Sequence, residues 1–367
     1  MVTAGALSMD YLTPDDIETL CLGATLLGAG GGGDPYVAKL VVQQALETWG
    51  PVRVVAAGEL PPDALALTTA VIGAPTVILE KLPAGTEYVG SVRALASYLG
   101  KAPAAIMSIE VGGLNTLLPI ATAAEMGLPI VNADSMRRAF PQIEMTVFTL
   151  AGLPAGPLSI ADEKGNQCVF KTTDNHVAES LARAAVIQLG LANAISCYPL
   201  TAAQIDEHGI AGSLTYCSKV GGLLEAVKRA EEGAWERFLA ESGSAEFFRG
   251  KVVDLDRRTT EGFARSTAIL EDLNGSDSTM RIEVQNENLI AFLDGEAVIT
   301  TPNLICLLDC ETFEPITTEY LAYGNRVVVI GMPCAPEWHR PGMLELVGPP
   351  AFGYDVDFVE LPGRRDD

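Results

Sequence analysis

Positive charge is scarce in this chain of 367 residues. Lys and Arg together number 24 against 47 Asp and Glu, which gives a formal net charge of -23 at pH 7. An excess of negative charge repels the phosphates of nucleic acids and anionic membrane surfaces. We therefore expect a small-molecule partner, with no role for nucleic acid or a membrane.

Histidine is also scarce. The three histidines share no short motif: His176, His208 and His339. This pattern disfavours a His-rich metal centre, while a mixed carboxylate site for a divalent metal such as zinc stays open. No cofactor is predicted.

The seven cysteines are odd in number and scattered, unlike a disulfide framework, so most are predicted to be reduced packing residues. Cys306 and Cys310 have the spacing of metal ligands, but their apolar strand context favours packed thiols. Cys217 lies between helical segments with no obvious His partner, so a nucleophilic role is the less favoured interpretation.

Long apolar runs are missing as well. The most apolar window, residues 64–79, is too short to span a bilayer and contains Gly73 and Pro75. The N-terminal residues lack both a basic start and a long apolar core, so we expect no signal peptide and a soluble cytoplasmic protein. Hydrophobic residues make up 48% and charged residues 19%, which disfavours disorder and suggests a homo-oligomer.

The length predicts two domains, which we place at residues 1–172 and 173–367. Between residues 52 and 134, apolar strands alternate with helical segments. This βαβ rhythm predicts an α/β domain with a largely parallel sheet and helices on both faces. Residues 158–170 have the pattern of a hairpin.

The second domain changes character along its length. Residues 175–243 are mainly helical, and residues 250–362 contain short strand-like runs separated by Gly, Pro, Asn and Asp. The latter pattern predicts a β-rich barrel or sandwich. Whether residues 174–243 pack on the first domain or the second stays open.

A glycine-rich stretch, LGAGGGGDP, places Gly28, Gly30 and Gly33 in the pattern of a dinucleotide-binding loop. Such a loop requires a strand before it and a helix after it. Here helical spacing is found on both sides, so a nicotinamide site is the minor alternative. A tight backbone crossing is favoured, and the wall of a small-molecule pocket stays open.

Three apolar runs each end in ionisable residues, at Glu80-Lys81, Glu110 and Asp134. In parallel sheets, ligands bind beyond the carboxyl ends of the strands. Glu110 is the best candidate, because Gly112 and Gly113 and then a helix follow it. For one isolated carboxylate a capping or ion-pair role is favoured, but three in succession favour a site.

Several runs together resemble a bacterial family that includes S-methyl thiohydantoin desulfurase. These runs are LLGAGGGGDPY, IGAPTVILEKLP, IEVGGLNTLLP, GLPIVNADSMRRAFP, DRRTTEGFAR, QNENLIA, PITTEYLAYGNRVVVIGMP and GPPAFGYDVDF. The C-terminal half is also distantly similar to the tail of hydantoinase and oxoprolinase subunits.

The resemblance implies an α/β domain joined to a β-rich domain. For a desulfurase it implies hydrolytic loss of an alkylthiol from a 2-(alkylthio)imidazolone, which leaves a hydantoin. The residues that fall on motif positions are Glu80, Lys81, Glu110, Asn115, Asp134, Arg138 and the loop glycines Gly30, Gly31, Gly32 and Gly33.

The chain departs from the family pattern after the third run. The pattern has an acidic-Ala-Asp-Gly-Met-Gly-Arg run and then a Pro-acid pair, where this chain carries Asn132, Ser135, Arg137 and Gln142. These changes bear on both the substrate and the reaction.

The desulfurase reaction needs an activated water and a proton delivered to the ring or to the leaving sulfur. Two carboxylates with separated pKa values could divide these tasks. Our hypothesis gives the basic role to Glu110 or Asp134, with Glu80 as a further candidate, and the charge partner is Lys81 or Arg138.

Asn115 and the amides of Gly112 and Gly113 would bind a ring carbonyl. The alternatives are a non-catalytic small-molecule-binding protein and a subunit of a hydantoinase-like complex.

Overall fold

A computed structural model describes residues 9–33, 35–73, 77, 85–260 and 263–361. The α-helices of these ranges are α1 (Ile17–Leu27), α2 (Pro35–Trp49), α3 (Thr86–Leu99), α4 (Leu114–Met126), α5 (Val147–Leu150), α6 (Asn175–Gln188), α7 (Ala202–His208), α8 (Ser213–Lys228), α9 (Ala234–Ser242) and α10 (Met343–Val347). In this part of the chain, no helix is both long enough and apolar enough to cross a bilayer.

The strands of the first half are β1 (Tyr11–Leu12), β2 (Val52–Val55), β3 (Leu65–Gly73), β4 (Ala105–Ser108), β5 (Ile130–Val131), β6 (Ala133–Asp134), β7 (Leu158–Ala161) and β8 (Gln167–Phe170). Those of the second half are β9 (Ala192–Ser196), β10 (Leu200–Thr201), β11 (Ile210–Ala211), β12 (Ala245–Thr260), β13 (Phe263–Asp272), β14 (Thr279–Gln285), β15 (Glu287–Leu293), β16 (Glu296–Thr300), β17 (Leu304–Asp309) and β18 (Arg326–Met332).

The N-terminal sheet follows the order β1-β2-β5-β4-β3-β9-β7-β8, and β10 also pairs with β3. Its central strands β2, β5, β4 and β3 run parallel, as the βαβ rhythm predicts. Strands β9, β7 and β8 are antiparallel to their neighbours. The prediction of a parallel sheet is therefore correct for the four central strands, and the complete sheet is mixed.

Strand β9 decides where the helical segment of residues 174–243 packs. It lies between β3 and β7, so this segment completes the N-terminal sheet. Helix α8 from the same segment packs on α1 at two glycines, Gly23 and Gly221. A Cβ on Gly23 would overlap the carbonyl of Cys217, so the close approach of these two helices depends on glycine.

Successive side chains of each strand point to opposite faces of the N-terminal sheet, so a hydrophobic core forms on each face. Leu67 and Ile106 face the core formed with α1, α2 and α4. Their neighbours Ala66 and Met107 face the opposite core, which includes residues of α6. Helices on both faces are thus confirmed.

The C-terminal sheet is antiparallel, in the order β16-β15-β14-β13-β12-β18-β17, and it curls into a half-barrel. Bulges in β12 help to bend it. In β17, Ile305 faces the interior of the half-barrel, whereas Cys306 faces the core shared with α1. The Cys306 thiol donates to the Leu26 carbonyl at 3.1 Å, which agrees with the predicted packing role.

The glycine-rich stretch joins α1 to α2, as helical spacing on both sides predicts. Its carbonyls are held from three directions. Ala29 O accepts from Asn288 N at 2.9 Å, Gly30 O from Thr318 N at 2.8 Å, and Gly32 O from Leu114 N at 3.0 Å. The loop is therefore a crossing point where the C-terminal sheet meets the start of α4.

Candidate active site

A cavity of about 100 Å³ lies at the carboxyl ends of the parallel strands β3 and β4. This is the edge at which open α/β sheets bind ligands. The cavity is lined by Gly32, Gly33, residues 70–73, Ile109, Glu110, Leu114, Asn115, Met136, residues 140–143, Glu179, Arg183, Ile195, Cys197, Asn286 and Glu287. Both halves of the chain contribute to its walls.

Glu110 follows β4 and is 5% exposed. Its Oε1 accepts a hydrogen bond from Asn115 Nδ2 at 2.7 Å, and its Oε2 accepts one from Phe140 N at 3.3 Å. Burial raises the pKa of Glu110 to about 7, although these two donors oppose the rise. A carboxyl with such a pKa can both accept and release a proton near neutral pH.

Asn115 holds Glu110 in position. Its Oδ1 accepts from Val71 N at 2.6 Å, and its Nδ2 donates to Val71 O at 3.3 Å as well as to Glu110. These bonds connect the first turn of α4 to the end of β3. Because Val71 N fixes the amide oxygen, the amide NH2 must face the carboxylate.

Glu287 enters the same cavity from the C-terminal sheet and is 3% exposed. Burial raises the pKa of Glu287 well above its usual range, and the negative charge of Glu110 acts in the same direction. Beyond its place in the QNENLIA run, no sequence signal singles it out. A lone acidic residue at a hairpin tip is typical of a solvated turn.

The predicted glycines occupy different places around the cavity. Gly32 and Gly33 line it, whereas Gly30 and Gly31 lie behind it against Asn288 and Glu287.

Gly112 and Gly113 cross the glycine-rich loop at close range, where a Cβ on Gly113 would overlap the carbonyl of Gly32. The amide of Gly113 donates to Ala24 O at 2.7 Å, so this group serves the crossing and is engaged within the fold.

Asp134 lies outside the cavity lining and is completely buried. Its Oδ2 accepts from the amides of Val111, Met136 and Arg137 at 2.7, 3.2 and 2.6 Å, and its Oδ1 accepts from Ser213 Oγ at 2.6 Å. Burial raises the pKa of Asp134, and these donors oppose the rise. Such a donor set is typical of a carboxylate that organises a turn.

We expect Asp134→Asn to lower the free energy of unfolding by about 1–3 kcal/mol, because an amide NH2 would replace an oxygen that accepts hydrogen bonds. Chemical denaturation would measure the change. An unchanged midpoint and slope would contradict this role for Asp134.

Arg138 is fully buried and also lies outside the cavity lining. Its Nη1 donates to the carbonyls of Pro302 and Asn303, both at 2.9 Å, and its Nε donates to Ala139 O at 3.0 Å. Its guanidinium carbon lies 4.3 Å from the centre of the Phe140 ring. Arg138 thus connects the loop after β6 to the turn between β16 and β17.

Glu80 and Lys81 lie outside the described residues. Of the four departures from the family pattern, Gln142 lines the cavity.

The other three departures lie elsewhere. Asn132 Oδ1 accepts from the first amides of α8, Leu214 N at 3.0 Å and Thr215 N at 3.3 Å. Ser135 Oγ donates to Ile109 O, and Arg137 donates to Ala211 O.

A charged pair, Glu179 and Arg183, also lines the cavity. Arg183 Nε donates to Glu179 Oε1 at 2.8 Å, and Glu179 Oε2 accepts from Ile143 N at 3.0 Å. The short segment of residues 140–143 is therefore held at one end by Glu110 and at the other by Glu179.

Within the described residues, no three His, Cys, Asp or Glu side chains are grouped to hold a metal ion. Cys217 is buried and donates to Leu20 O at 3.4 Å, and burial raises the pKa of its thiol well above the usual range. A buried thiol of this kind is typical of packing.

The two halves of the chain match two family descriptions. Residues 15–172 match the S-Me-THD-like, N-terminal domain, and residues 173–361 match the S-Me-THD-like, C-terminal domain. The chain belongs to the S-Me-THD-like family. No curated protein matches this family member.

A crystal structure of a structural genomics target from Chromobacterium violaceum is similar to this S-Me-THD-like chain, with a TM-score of 0.77 and 23% sequence identity. The similarity covers 95% of this chain and 99% of that chain. It shows a shared fold.

Proposed function

We propose that this protein is a hydrolase acting on a small five-membered cyclic amide or imidazolone. The specific reaction proposed is hydrolysis of the C–S bond of a 2-(alkylthio)imidazolone. Family membership supports the substrate class. The observation that carries the proposal is the buried carboxyl of Glu110 in the cavity, with its pKa raised to about 7.

Glu110 is the general base in this proposal. In its ionised form it takes a proton from a water molecule, whose oxygen then bonds to the amidine-like ring carbon. Asn115 acts through Glu110 and is a positioning residue, because its hydrogen bond orients the carboxylate. The apolar lining residues Ile109, Leu114 and Met136 limit access of bulk water to the ring.

The neutral side chain of Gln142 lines the cavity at a position where the family pattern has an acid. This exchange is the departure with the greatest bearing on substrate choice, because the other three residues serve packing or capping outside the cavity. We infer that the protein prefers a substrate whose substituent contacts an amide at this point.

The proposal predicts that kcat/KM for 2-(methylthio)imidazol-4-one increases with pH and levels off above about 7, where Glu110 is ionised. Thiol release, measured between pH 5 and 9, checks this expectation. Binding without thiol release or ring hydrolysis would instead favour a non-catalytic binding protein. A rate independent of pH across the range would remove Glu110 as the base.

A further inference from the structure

Glu287 brings a second carboxyl to the cavity from the opposite half of the chain. It follows Asn286, the residue at the tip of the β14–β15 hairpin, which has a φ of 58°. Its side chain is 3% exposed, and its Oε2 has no hydrogen-bond partner among the described residues. A buried carboxyl oxygen of this kind, on a wall of a cavity, can bind a ligand atom.

The position of Glu287 depends on Gly31. A Cβ on Gly31 would lie 2.5 Å from Glu287 Cγ and closer still to Oε1, so any larger residue at position 31 would displace this carboxyl. The hairpin is fixed to the same loop by the hydrogen bond from Asn288 N to Ala29 O at 2.9 Å. Thr318 N, which donates to Gly30 O at 2.8 Å, adds a second connection.

Among the described residues, three charged side chains act on Glu287. Glu110 and Glu319 are acidic, and Arg138 is the cation. The described hydrogen bonds of Arg138 go to backbone carbonyls. Burial and the neighbouring acids raise the pKa of Glu287, which favours its protonated form, whereas the pKa of Glu110 is about 7.

We propose that Glu287 is the proton donor to the leaving sulfur, acting across the cavity from Glu110. This inference rests on the proposed function and adds a catalytic residue from the C-terminal sheet. The proposal is based on the placement of two carboxyls in one cavity by opposite halves of the chain, where Gly31 leaves space for one of them.

The step balances as follows. Glu110 takes one proton of water, and the water oxygen bonds to the ring carbon as the π electron pair of the C=N bond moves to the ring nitrogen. The nitrogen pair then re-forms the C=N bond as the C–S bond breaks, the C–S electron pair goes to sulfur, and the Glu287 proton passes to sulfur to give the alkylthiol. The hydroxylated ring tautomerises to the hydantoin, and proton exchange returns one proton from Glu110 to Glu287.

The test compares two leaving groups in wild-type protein, Glu287→Gln and Gly31→Ala. With 2-(methylthio)imidazol-4-one, whose thiolate leaves poorly, we expect both variants to lose about 10²–10³-fold in kcat. With the 2-(4-nitrophenylthio) compound, whose thiolate leaves without protonation, we expect a loss of less than about tenfold. Glu271→Gln, which changes an exposed residue near the end of β13, is the control and should match wild type with both compounds.

Gly31→Ala keeps the Glu287 carboxyl but displaces it, and the Gly31 backbone is not in the left-handed region. Melting temperature and near-ultraviolet circular dichroism establish that each variant is folded. If the glutamine variant does not fold, Glu287→Asp replaces it, because aspartate keeps the acid on a side chain one methylene shorter. We expect Glu287→Asp also to lose more kcat with the methylthio compound than with the 4-nitrophenylthio compound.

Equal losses with both compounds, or no loss with either, would overturn the role of Glu287 alone. Wild-type protein that is inactive on both compounds would overturn this step together with the proposed function.

Discussion

Glu110→Gln is expected to lower the turnover number by about 10²–10⁴-fold, because glutamine keeps the shape of the side chain and removes the proton acceptor. Its amide oxygen can still accept the hydrogen bond from Asn115 Nδ2. The measurement is the initial rate of thiol release from 2-(methylthio)imidazol-4-one above pH 7. Undiminished turnover would show that another group activates the water.

The same variant is expected to change stability in a defined pH window. The folded pKa of Glu110 is about 7 and its ordinary value is 4.5. Between these values the folded state holds the proton more tightly than the unfolded state, so wild-type stability decreases as pH increases.

Glutamine removes this dependence. Between pH 4.5 and 7, the stability of Glu110→Gln relative to wild type should increase by about 3 kcal/mol. Denaturation curves of both proteins at several pH values would measure it. An unchanged difference across the window would contradict the raised pKa.

Asp134→Asn provides a matched control for Glu110→Gln. Both substitutions convert a buried carboxyl to an amide, but Asp134 accepts four protein hydrogen bonds outside the cavity lining. We expect Asp134→Asn to lose stability with a change in turnover of less than about tenfold. The reverse outcome, a stable and inactive Asp134→Asn, would transfer the basic role from Glu110 to Asp134.

Arg138→Met is expected to lower the free energy of unfolding by about 3–5 kcal/mol. Methionine replaces part of the apolar stem, but the carbonyls of Ala139, Pro302 and Asn303 lose their donor in the interior. Each unsatisfied carbonyl costs about 1–3 kcal/mol. Chemical denaturation near pH 7 measures the change.

Arg138→Lys separates charge from geometry, because lysine keeps the positive charge without the planar fork that reaches several carbonyls. We expect a loss of stability between those of wild type and Arg138→Met. In the methionine variant, loss of the cation should also move the increase in kcat/KM to higher pH, since the charge of Arg138 lowers the pKa of Glu110. A loss below about 1 kcal/mol in Arg138→Met would contradict the structural role of the guanidinium.

The local pattern of the sequence was sufficient for most elements. The predicted alternation of strands and helices begins at residue 52, where β2 begins in the structure, and the predicted hairpin is formed by β7 and β8. Every short strand-like run after residue 250 belongs to the C-terminal sheet. Period-two alternation of apolar residues and turn residues are local signals. They therefore identify a strand even when the strands that pair with it are unknown.

Local reasoning missed other elements, of which β9 is the clearest case. Strand β9 has the sequence ANAIS, which is short and carries Asn193 on a buried position. Its place between β3 and β7 results from pairing, which no local pattern specifies. The helical prediction for residues 175–243 also placed no break between Lys228 and Ala234, where the structure ends α8 and begins α9.

By itself, the sequence determined the two fold classes, the helix-to-helix setting of the glycine-rich loop and the choice of Glu110 as a candidate, because each follows from residues close together in the chain. Tertiary structure alone decided which carboxyls share the cavity. It removed Asp134 and Arg138 from the cavity wall and brought Glu287 to it. The reason is that burial, hydrogen-bond partners and the room left by Gly31 depend on segments more than 250 residues apart, from residue 31 to residue 287.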